Sequence, residues 1–244
     1  MSRLKVVFFD VDDTLYSTSQ FADKARRNAI RAMMELGLHM EEADLVRELE
    51  EVINEFTSNY QHHFEKLLLR IGEDKYRGVN PAILVAAAVR AYHDTKSTGL
   101  KPFPDVEPAL QALAHSDLRL GVITMGPQIK QAEKLLRLDV VRYLDPMGVF
   151  ISDQIGIGKP NAKLYMKACQ GMGVWPAEAM YVGDNAPNDI DPPNELGMAT
   201  VLVNREGKYA EAKGQTEPDH IIESFDQLLK ILQGDYGTVL RVLP

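Results

Sequence analysis

The sequence predicts an α/β fold built on a doubly wound parallel sheet, with an α-helical segment inserted after the first strand. Short apolar, β-branched or aromatic runs, each followed by a turn signal, predict the strands. Strands of this kind that alternate with helices are typical of a parallel sheet. The predicted strands are Leu4–Phe9, Arg119–Ile123, Gly148–Ile151, Met180–Val182, Thr200–Val203 and Pro218–Ile222.

Stretches with helical periodicity follow the later strands. The predicted helices are Pro127–Leu138, Pro160–Met172, Asp189–Leu196 and Phe225–Leu232. Pro127 and Pro160 are each predicted to begin a helix, because proline suits the first helical position.

A long segment between the first two strands contains no strand signal and is predicted to be helical throughout. Its predicted helices are Phe21–Leu36, Glu41–Phe56, Tyr60–Ile71 and Pro81–Tyr92. Turn-like stretches at residues 16–20 and 99–104 bracket it. We therefore expect residues 1–16 and 101–244 to form the core domain and residues 17–100 a helical cap domain. Loops at the carboxyl ends of parallel strands border the ligand crevice, so the insertion is placed to act as a lid.

Composition favours a globular protein outside the membrane. The hydrophobic fraction is 45% and the charged fraction 25%, and no apolar run approaches the roughly 20 residues that span a bilayer. We expect no secretory signal, and the single cysteine, Cys169, cannot form an internal disulfide, which fits the cytoplasm. A net charge of −8 weighs against nucleic acid as a partner. A monomer and a homodimer are both compatible with this composition.

The sharpest chemical signal lies directly after the first predicted strand, where Asp10, Asp12 and Asp13 place three carboxylates within four residues. A bound divalent cation would offset their repulsion, because hard cations take oxygen ligands. Phosphoryl transfer uses such a set: one carboxylate attacks phosphorus and another manages protons. An acidic turn is the simpler alternative. A calcium loop is excluded, because its sixth and twelfth positions would be Leu15 and Phe21 instead of glycine and glutamate.

Polar residues also follow three later strands. Thr124 offers a hydroxyl, Lys159 a cation, and Asp184 and Asp189 two further carboxylates. Each residue alone is compatible with an ordinary cap, loop or turn. A doubly wound sheet gathers the carboxyl ends of its strands along one edge, so we expect the four to meet Asp10 in one crevice.

These motifs resemble those of the haloacid dehalogenase-like (HAD) hydrolases. Asp10-Val-Asp-Asp-Thr14 resembles the first family motif, Thr124 the second, Lys159 the third, and Gly183-Asp184 with Asp189 the fourth. The resemblance covers nearly the whole chain and implies a Rossmann-like core with a helical cap. Two departures are Met125, where relatives often carry Asn or Asp, and the pair Pro192-Pro193 in place of Gly-Ala.

The resemblance implies a Mg²⁺-dependent phosphatase that acts on a small phosphorylated metabolite through an aspartyl-phosphate. Asp10 would be the nucleophile and Asp12 the general acid/base. Thr124 and Lys159 would complete the catalytic set. The resemblance implies four metal-binding residues: Asp10, Asp12 through its carbonyl, Asp184, and Asp189 through water or as a support. The substrate-binding residues that it implies are Thr14, Thr124, Met125, Gly126 and Lys159.

The second aspartate of the first motif separates reactions within this family. A phosphatase must protonate its leaving group, and Asp12 can do so, whereas the family's dehalogenases lack an aspartate there and need no Mg²⁺. A phosphomutase and a non-catalytic phospho-ligand binding module stay open as alternatives. An oxidoreductase is poorly supported, because the first strand leads into acidic residues and not into G-x-G-x-x-G.

The cap resembles one prokaryotic subgroup similar to glyceraldehyde 3-phosphate phosphatases. The stretches that carry this resemblance are Asp23–Ile30, Ser58–Phe64 and Ala91–Lys96. Within them, Asn59, Tyr60, His62 and His63 form a polar cluster that fits a surface helix as well as a substrate contact.

Overall fold

The computed structural model describes residues 3–57, 60–205, 209 and 211–240. The chain divides into two compact units, residues 1–19 with 101–244 and residues 20–100. In the first unit the described residues form a six-stranded sheet in the order β3-β2-β1-β4-β5-β6, with every neighbouring pair parallel. The strands are β1 Val6–Phe9, β2 Arg119–Thr124, β3 Val149–Ile151, β4 Ala179–Gly183, β5 Ala199–Val203 and β6 His220–Ile222.

Helices connect these strands, so the predicted doubly wound α/β fold is confirmed. They are α5 Val106–Ala114, α6 Gln128–Arg137, α7 Ser152–Ile155, α8 Ala162–Gly171, α9 Asp191–Glu195 and α10 Phe225–Gly234. Short 3₁₀ turns lie at Val141–Tyr143 and Pro176–Glu178, and a π-helical turn at Ala186–Ile190. Helix α5 was not predicted from the sequence.

Strand β1 is buried on both faces, which explains its unbroken apolar sequence. Successive side chains of a strand point to opposite faces. Phe8 packs in one core cluster with Tyr165 of α8 and meets Phe150 edge to face at 5.9 Å. Phe9 stacks on Phe225 of α10 at 5.7 Å. Helices α8 and α10 therefore cover opposite faces of the sheet.

The predicted starts of two helices after the strands are wrong. Helix α6 begins at Gln128, because the Asp153 carboxylate accepts the N–H of that residue at 2.9 Å. Helix α8 begins at Ala162, two residues after Pro160, because the Asn161 side chain accepts the N–H of Lys163 at 3.0 Å.

The predicted helix Asp189–Leu196 is also corrected. The chain forms the π-helical turn first, and α9 then begins at Asp191 with Pro192 and Pro193 in its first turn. Proline is tolerated there because the first N–H groups of a helix have no intrahelical partner.

The second unit is helical in its described residues. Its elements are α1 Thr18–Glu35 (which begins two residues before the unit), α2 Glu42–Phe56, α3 His63–Ile71, the 3₁₀ turn Glu73–Tyr76 and α4 Pro81–Gly99. These elements share a core in which residues such as Met33, Leu49, Leu67 and Leu84 are buried.

Two predicted boundaries in this unit are wrong. Helix α3 begins at His63 and not at Tyr60, whose ring stacks on Phe56 at the end of α2, with centroids 5.0 Å apart. Helix α4 continues beyond Tyr92 to Gly99. Apolar periodicity stops at Tyr92, which is why the predicted helix ends there. The next turn buries a polar residue instead: Thr95, whose hydroxyl donates to the Ala91 carbonyl at 2.8 Å.

No helix in the described part of the chain is long and apolar enough to cross a bilayer. The predicted domain boundaries, and the role of the helical segment as a lid, stay predictions.

Gly121 lies on β2 at a place where the sheet leaves no room for a side chain. A Cβ at this position would lie 2.8 Å from the Gly148 carbonyl oxygen and 2.8 Å from the Phe8 ring. Gly121→Ala should therefore overpack the sheet and lower the free energy of unfolding by about 1–3 kcal/mol.

Gly234, at the end of α10, is the matched control, because a Cβ there would meet nothing within 4 Å. Gly234→Ala should leave stability unchanged or raise it slightly. Urea unfolding followed by circular dichroism compares the two variants with the wild type. Equal midpoints for Gly121→Ala and wild type would contradict the packing argument.

Candidate active site

The carboxyl edge of the sheet carries the site, beginning with Asp10 at the end of β1. Its N–H donates to the Val182 carbonyl of β4 at 2.9 Å, and its side chain is almost fully buried. The strand order reverses at this place: the chain runs from β1 through β2 to β3 on one side, and β4 then returns to the other side of β1. Ligands of doubly wound proteins bind at such a switch point.

Two further carboxylates follow β4. Oxygen atoms of Asp10, Asp184 and Asp189 all lie within 4.8 Å of one another. Asp189 reaches the strand end because residue 183 is glycine: a Cβ there would lie 2.5 Å from the Asp189 carboxyl carbon. The N–H of Asn185 also donates to Asp189 Oδ2 at 3.0 Å. The sequence prediction that these side chains share one crevice agrees with this arrangement.

Lys159 is the cation of the cluster, and its side chain is only 3% exposed. Its Nζ donates to Asp10 Oδ1 at 2.5 Å, to Asp189 Oδ1 at 2.7 Å and to the Tyr181 hydroxyl at 2.7 Å. An ammonium group has three N–H donors, so each of them has a partner.

One lysine does not balance the buried carboxylates. Burial raises the pKa of Asp10 to about 7, with Lys159 lowering it and Asp189 raising it again. Burial and the charge of Asp10 raise the pKa of Asp184 to about 8. Burial alone would lower the pKa of Lys159, but Asp10 and Asp189 hold it well above its ordinary value. The cluster thus has a deficit of positive charge.

A hard divalent cation fits this donor set. Its side-chain ligand atoms would all be carboxylate oxygens, which such ions prefer. The added charge would also stabilise the ionised forms of Asp10 and Asp184.

Thr124 ends β2, the neighbour of β1. Phe9 pairs with Val122 in the sheet register, so Asp10 and Thr124 leave adjacent strands at nearly the same level. The Thr124 hydroxyl is fully buried and has no hydrogen-bond partner among the described residues. Because buried polar groups are rarely unpaired, this hydroxyl fits a site for a ligand oxygen.

The other predicted substrate-binding residues have protein partners. The Thr14 hydroxyl donates to Asp184 Oδ1 at 3.3 Å. The Gly126 N–H donates to the Ser152 hydroxyl at 3.0 Å, and the half-exposed Met125 accepts at its carbonyl from Gln131 at 2.7 Å. Substrate binding by Thr14, Met125 and Gly126 stays a prediction.

Asp12 lies two residues beyond Asp10 but in a different environment. Lys134 of α6 donates to both of its carboxylate oxygens, at 2.6 and 2.7 Å. Gln131 donates to Oδ2 at 3.1 Å and the Tyr16 hydroxyl to Oδ1 at 2.5 Å. Burial would raise the pKa of Asp12, but Lys134 lowers it below its ordinary value.

Sequence reasoning missed Lys134, Gln131, Tyr16 and Tyr181. Gln131 and Lys134 stand three residues apart and so share a face of α6. That spacing, directly after the Thr124 motif, was a usable signal. Tyr181 gave no comparable signal, because an aromatic residue in a buried strand is ordinary.

Asp13, the third carboxylate of the first motif, accepts hydrogen bonds at the start of α1. It accepts the N–H of Thr18 at 2.8 Å and the hydroxyl of the same residue at 2.5 Å. The simpler interpretation, a carboxylate in a turn, therefore holds for Asp13.

The polar cluster of the helical unit is described only in part, since Ser58 and Asn59 lie outside the described residues. His62 pairs with Glu65 at 2.9 Å, and His63 donates through Nε2 to the Thr57 carbonyl at 2.8 Å. The Tyr60 ring meets both imidazoles edge to face. These contacts give both histidines protein partners in α3 and the preceding turn.

The chain is similar in sequence to known phosphatases. A sequence profile of the haloacid dehalogenase-like hydrolases matches residues 4–197. A glyceraldehyde 3-phosphate phosphatase of Methanopyrus kandleri is 47% identical over 235 residues, covering 94% of this chain and 97% of that protein. The enzyme of the same name from Pyrococcus furiosus is 40% identical, covering 98% and 97%.

A solved structure has the same fold. The HAD phosphatase from Thermococcus onnurineus superposes with a TM-score of 0.62 at 22% identity, covering 95% of this chain and 99% of that one. The profile match and the two relatives confirm the resemblance of the motifs. The chain belongs to the haloacid dehalogenase-like hydrolases.

Proposed function

We propose that the protein hydrolyses small phosphate monoesters with Mg²⁺ as cofactor, and that Asp10 is the nucleophile. One observation carries this proposal: a buried Asp10 is paired with Lys159 beside two further carboxylates, at the edge where the Thr124 hydroxyl lacks a partner in the described residues. A nucleophile, a compensating cation, a place for a metal and a donor for a phosphate oxygen are what phosphoryl transfer requires.

The chain is a phosphatase by its family and by relatives that share 47% and 40% identity over nearly its whole length. Because both relatives are named glyceraldehyde 3-phosphate phosphatases, we propose a phosphorylated triose or a similar small sugar phosphate as substrate. We further propose that the protein acts in the cytoplasm, which suits its single buried thiol, Cys169.

The carboxylates of Asp10 and Asp184 and the backbone carbonyl of Asp12 would hold Mg²⁺. Both oxygens of Asp189 have protein donors, Lys159 and the N–H of Asn185, which favours a supporting role for this residue. When bound, the ion would neutralise charge on the transferring phosphoryl group and on Asp10.

In the first half-reaction an Asp10 carboxylate oxygen attacks phosphorus. The bond from phosphorus to the ester oxygen breaks, and its electron pair goes to the leaving oxygen, which takes a proton from Asp12. Lys159 orients Asp10, and Thr124 donates to a phosphoryl oxygen. The products are the alcohol and an aspartyl-phosphate on Asp10.

In the second half-reaction water attacks the same phosphorus and gives its proton to Asp12. The bond between phosphorus and Asp10 breaks, which regenerates the carboxylate and releases inorganic phosphate. Asp12 thus acts as an acid and then as a base, and both half-reactions need its carboxyl group.

Removing the nucleophile tests the reaction. Asp10→Asn should abolish phosphate release, because an amide is a poor nucleophile. The assay measures phosphate from a panel that includes glyceraldehyde 3-phosphate and p-nitrophenyl phosphate, with Mg²⁺ and with excess chelator. Free phosphate, as opposed to an isomerised sugar phosphate, separates a phosphatase from a mutase. Turnover by a contaminant-free Asp10→Asn preparation would refute the nucleophile.

Replacing the acid/base should affect esters unequally. Asp12→Asn should lower kcat by about 10²- to 10⁴-fold, the usual contribution of positioned proton transfer. The loss in kcat/KM should be smaller for p-nitrophenyl phosphate, whose leaving group needs no proton, than for an alkyl phosphate. Steady-state rates equal to wild type on both esters would exclude Asp12 from proton transfer.

Metal binding can be tested without turnover. Because a ligand that binds only the folded state stabilises it, Mg²⁺ at about 100 times its Kd should contribute about 2.7 kcal/mol. Differential scanning fluorimetry should therefore find an apparent Tm several degrees higher with Mg²⁺ than with chelator. Asp184→Asn, which lacks a proposed ligand, should lose most of that shift. An unchanged shift in this variant would place the ion elsewhere.

A further inference from the structure

Tyr181 is a buried tyrosine that the mechanism above does not use. It lies on β4, and its side chain is fully buried. Lys159 Nζ donates to its hydroxyl oxygen at 2.7 Å, and the hydroxyl donates to the Ile123 carbonyl of β2 at 2.9 Å. The Tyr181 hydroxyl therefore accepts a hydrogen bond from the catalytic lysine in addition to donating one to the backbone.

The second hydrogen bond fixes the direction of the first. A phenol has a single proton, and in Tyr181 it is directed at the Ile123 carbonyl. The oxygen lone pairs are consequently left for Lys159. Asp10 and Asp189 take the other two N–H groups of the lysine, so the hydroxyl completes its set of partners.

Without this hydroxyl, one N–H of a buried ammonium group would lose its partner. An unpaired donor in such surroundings is costly, and more so when it is charged. The ammonium would then turn or move to recover a partner, and its contact with Asp10 would change. Ile123 also directly precedes Thr124, so Tyr181 ties the lysine to the strand that presents the Thr124 hydroxyl.

We infer that Tyr181 is a positioning residue, which holds the Lys159 ammonium group against Asp10 through its hydroxyl. This inference rests on the proposed function, because it assigns Tyr181 a role in the same reaction. It predicts that the hydroxyl affects catalysis only through Lys159.

The chain offers a matched control in Tyr165 of α8. Tyr165 is also fully buried and packs edge to face on Tyr181, with ring centroids 5.1 Å apart. Its hydroxyl donates to the Asn188 carbonyl and not to a catalytic side chain. Tyr165→Phe therefore removes a buried hydroxyl and a carbonyl partner, as Tyr181→Phe does, and leaves the lysine contact in place.

The experiment is a double-mutant cycle on p-nitrophenyl phosphate hydrolysis with Mg²⁺. Tyr181→Phe should lower kcat about tenfold, as expected for losing a hydrogen bond to a charged group. Tyr165→Phe should stay within about twofold of wild type. In a Lys159→Met background, Tyr181→Phe should change kcat by less than about twofold, because residues that act through one another are not additive.

The same cycle is run on inorganic phosphate binding, by isothermal titration calorimetry with Mg²⁺, so that the result does not depend on turnover. Tyr181→Phe should weaken phosphate binding when Lys159 is present and leave it unchanged in Lys159→Met. Equal losses in both backgrounds, or equal effects of Tyr181→Phe and Tyr165→Phe, would overturn the inference. Failure of the wild type to release phosphate would instead count against the proposed function, while the binding cycle still tests Tyr181.

Discussion

The site depends on keeping several carboxylates together in a buried place. Asp10, Asp184 and Asp189 bring their oxygens within 4.8 Å of one another, and like charges that are shielded from water repel strongly. Lys159 offsets part of this repulsion with contacts to Asp10 and Asp189. Burial, together with the repulsion that Lys159 leaves uncompensated, raises the pKa of Asp10 and of Asp184. In the proposed mechanism a divalent cation would supply the missing positive charge and so allow an anionic phosphate to approach these carboxylates.

The parallel sheet brings the residues of that cluster together. Asp10, Thr124 and Asp184 are distant in sequence, yet each follows or ends a strand, and parallel strands bring their carboxyl ends to one edge. Lys159 reaches the same edge from the turn between α7 and α8. The apolar strands stabilise this part of the structure, since both faces of β1 are packed by aromatic residues. Close approach at the edge also requires glycine, because any Cβ at Gly183 would collide with Asp189.

The sequence predicted those parts of the fold and site that depend on local pattern. Each strand and each polar motif is a short run of sequence, so the parallel sheet was predictable. The order of the motifs along the chain made the family of the protein predictable as well. The start of α8 was not, because proline at 160 was a plausible first residue and the Asn161 cap decides otherwise. The contact between Asp12 and Lys134 spans 122 positions and depends on how α6 lies against the first motif. Neither spacing nor composition encodes that orientation.

Asp10 and Asp12 of the first motif differ because each is paired with a different lysine. Lys159 contacts Asp10 at one oxygen, which leaves the other available for attack on phosphorus. Lys134 contacts both oxygens of Asp12, and Gln131 and Tyr16 add further donors. An ionised carboxylate offers about four acceptor positions, so this one is fully occupied. In the proposed mechanism Asp12 must carry a proton, and a protonated oxygen cannot accept from an ammonium group at the same place. Proton transfer by Asp12 therefore requires at least one of these contacts to be released during each turnover.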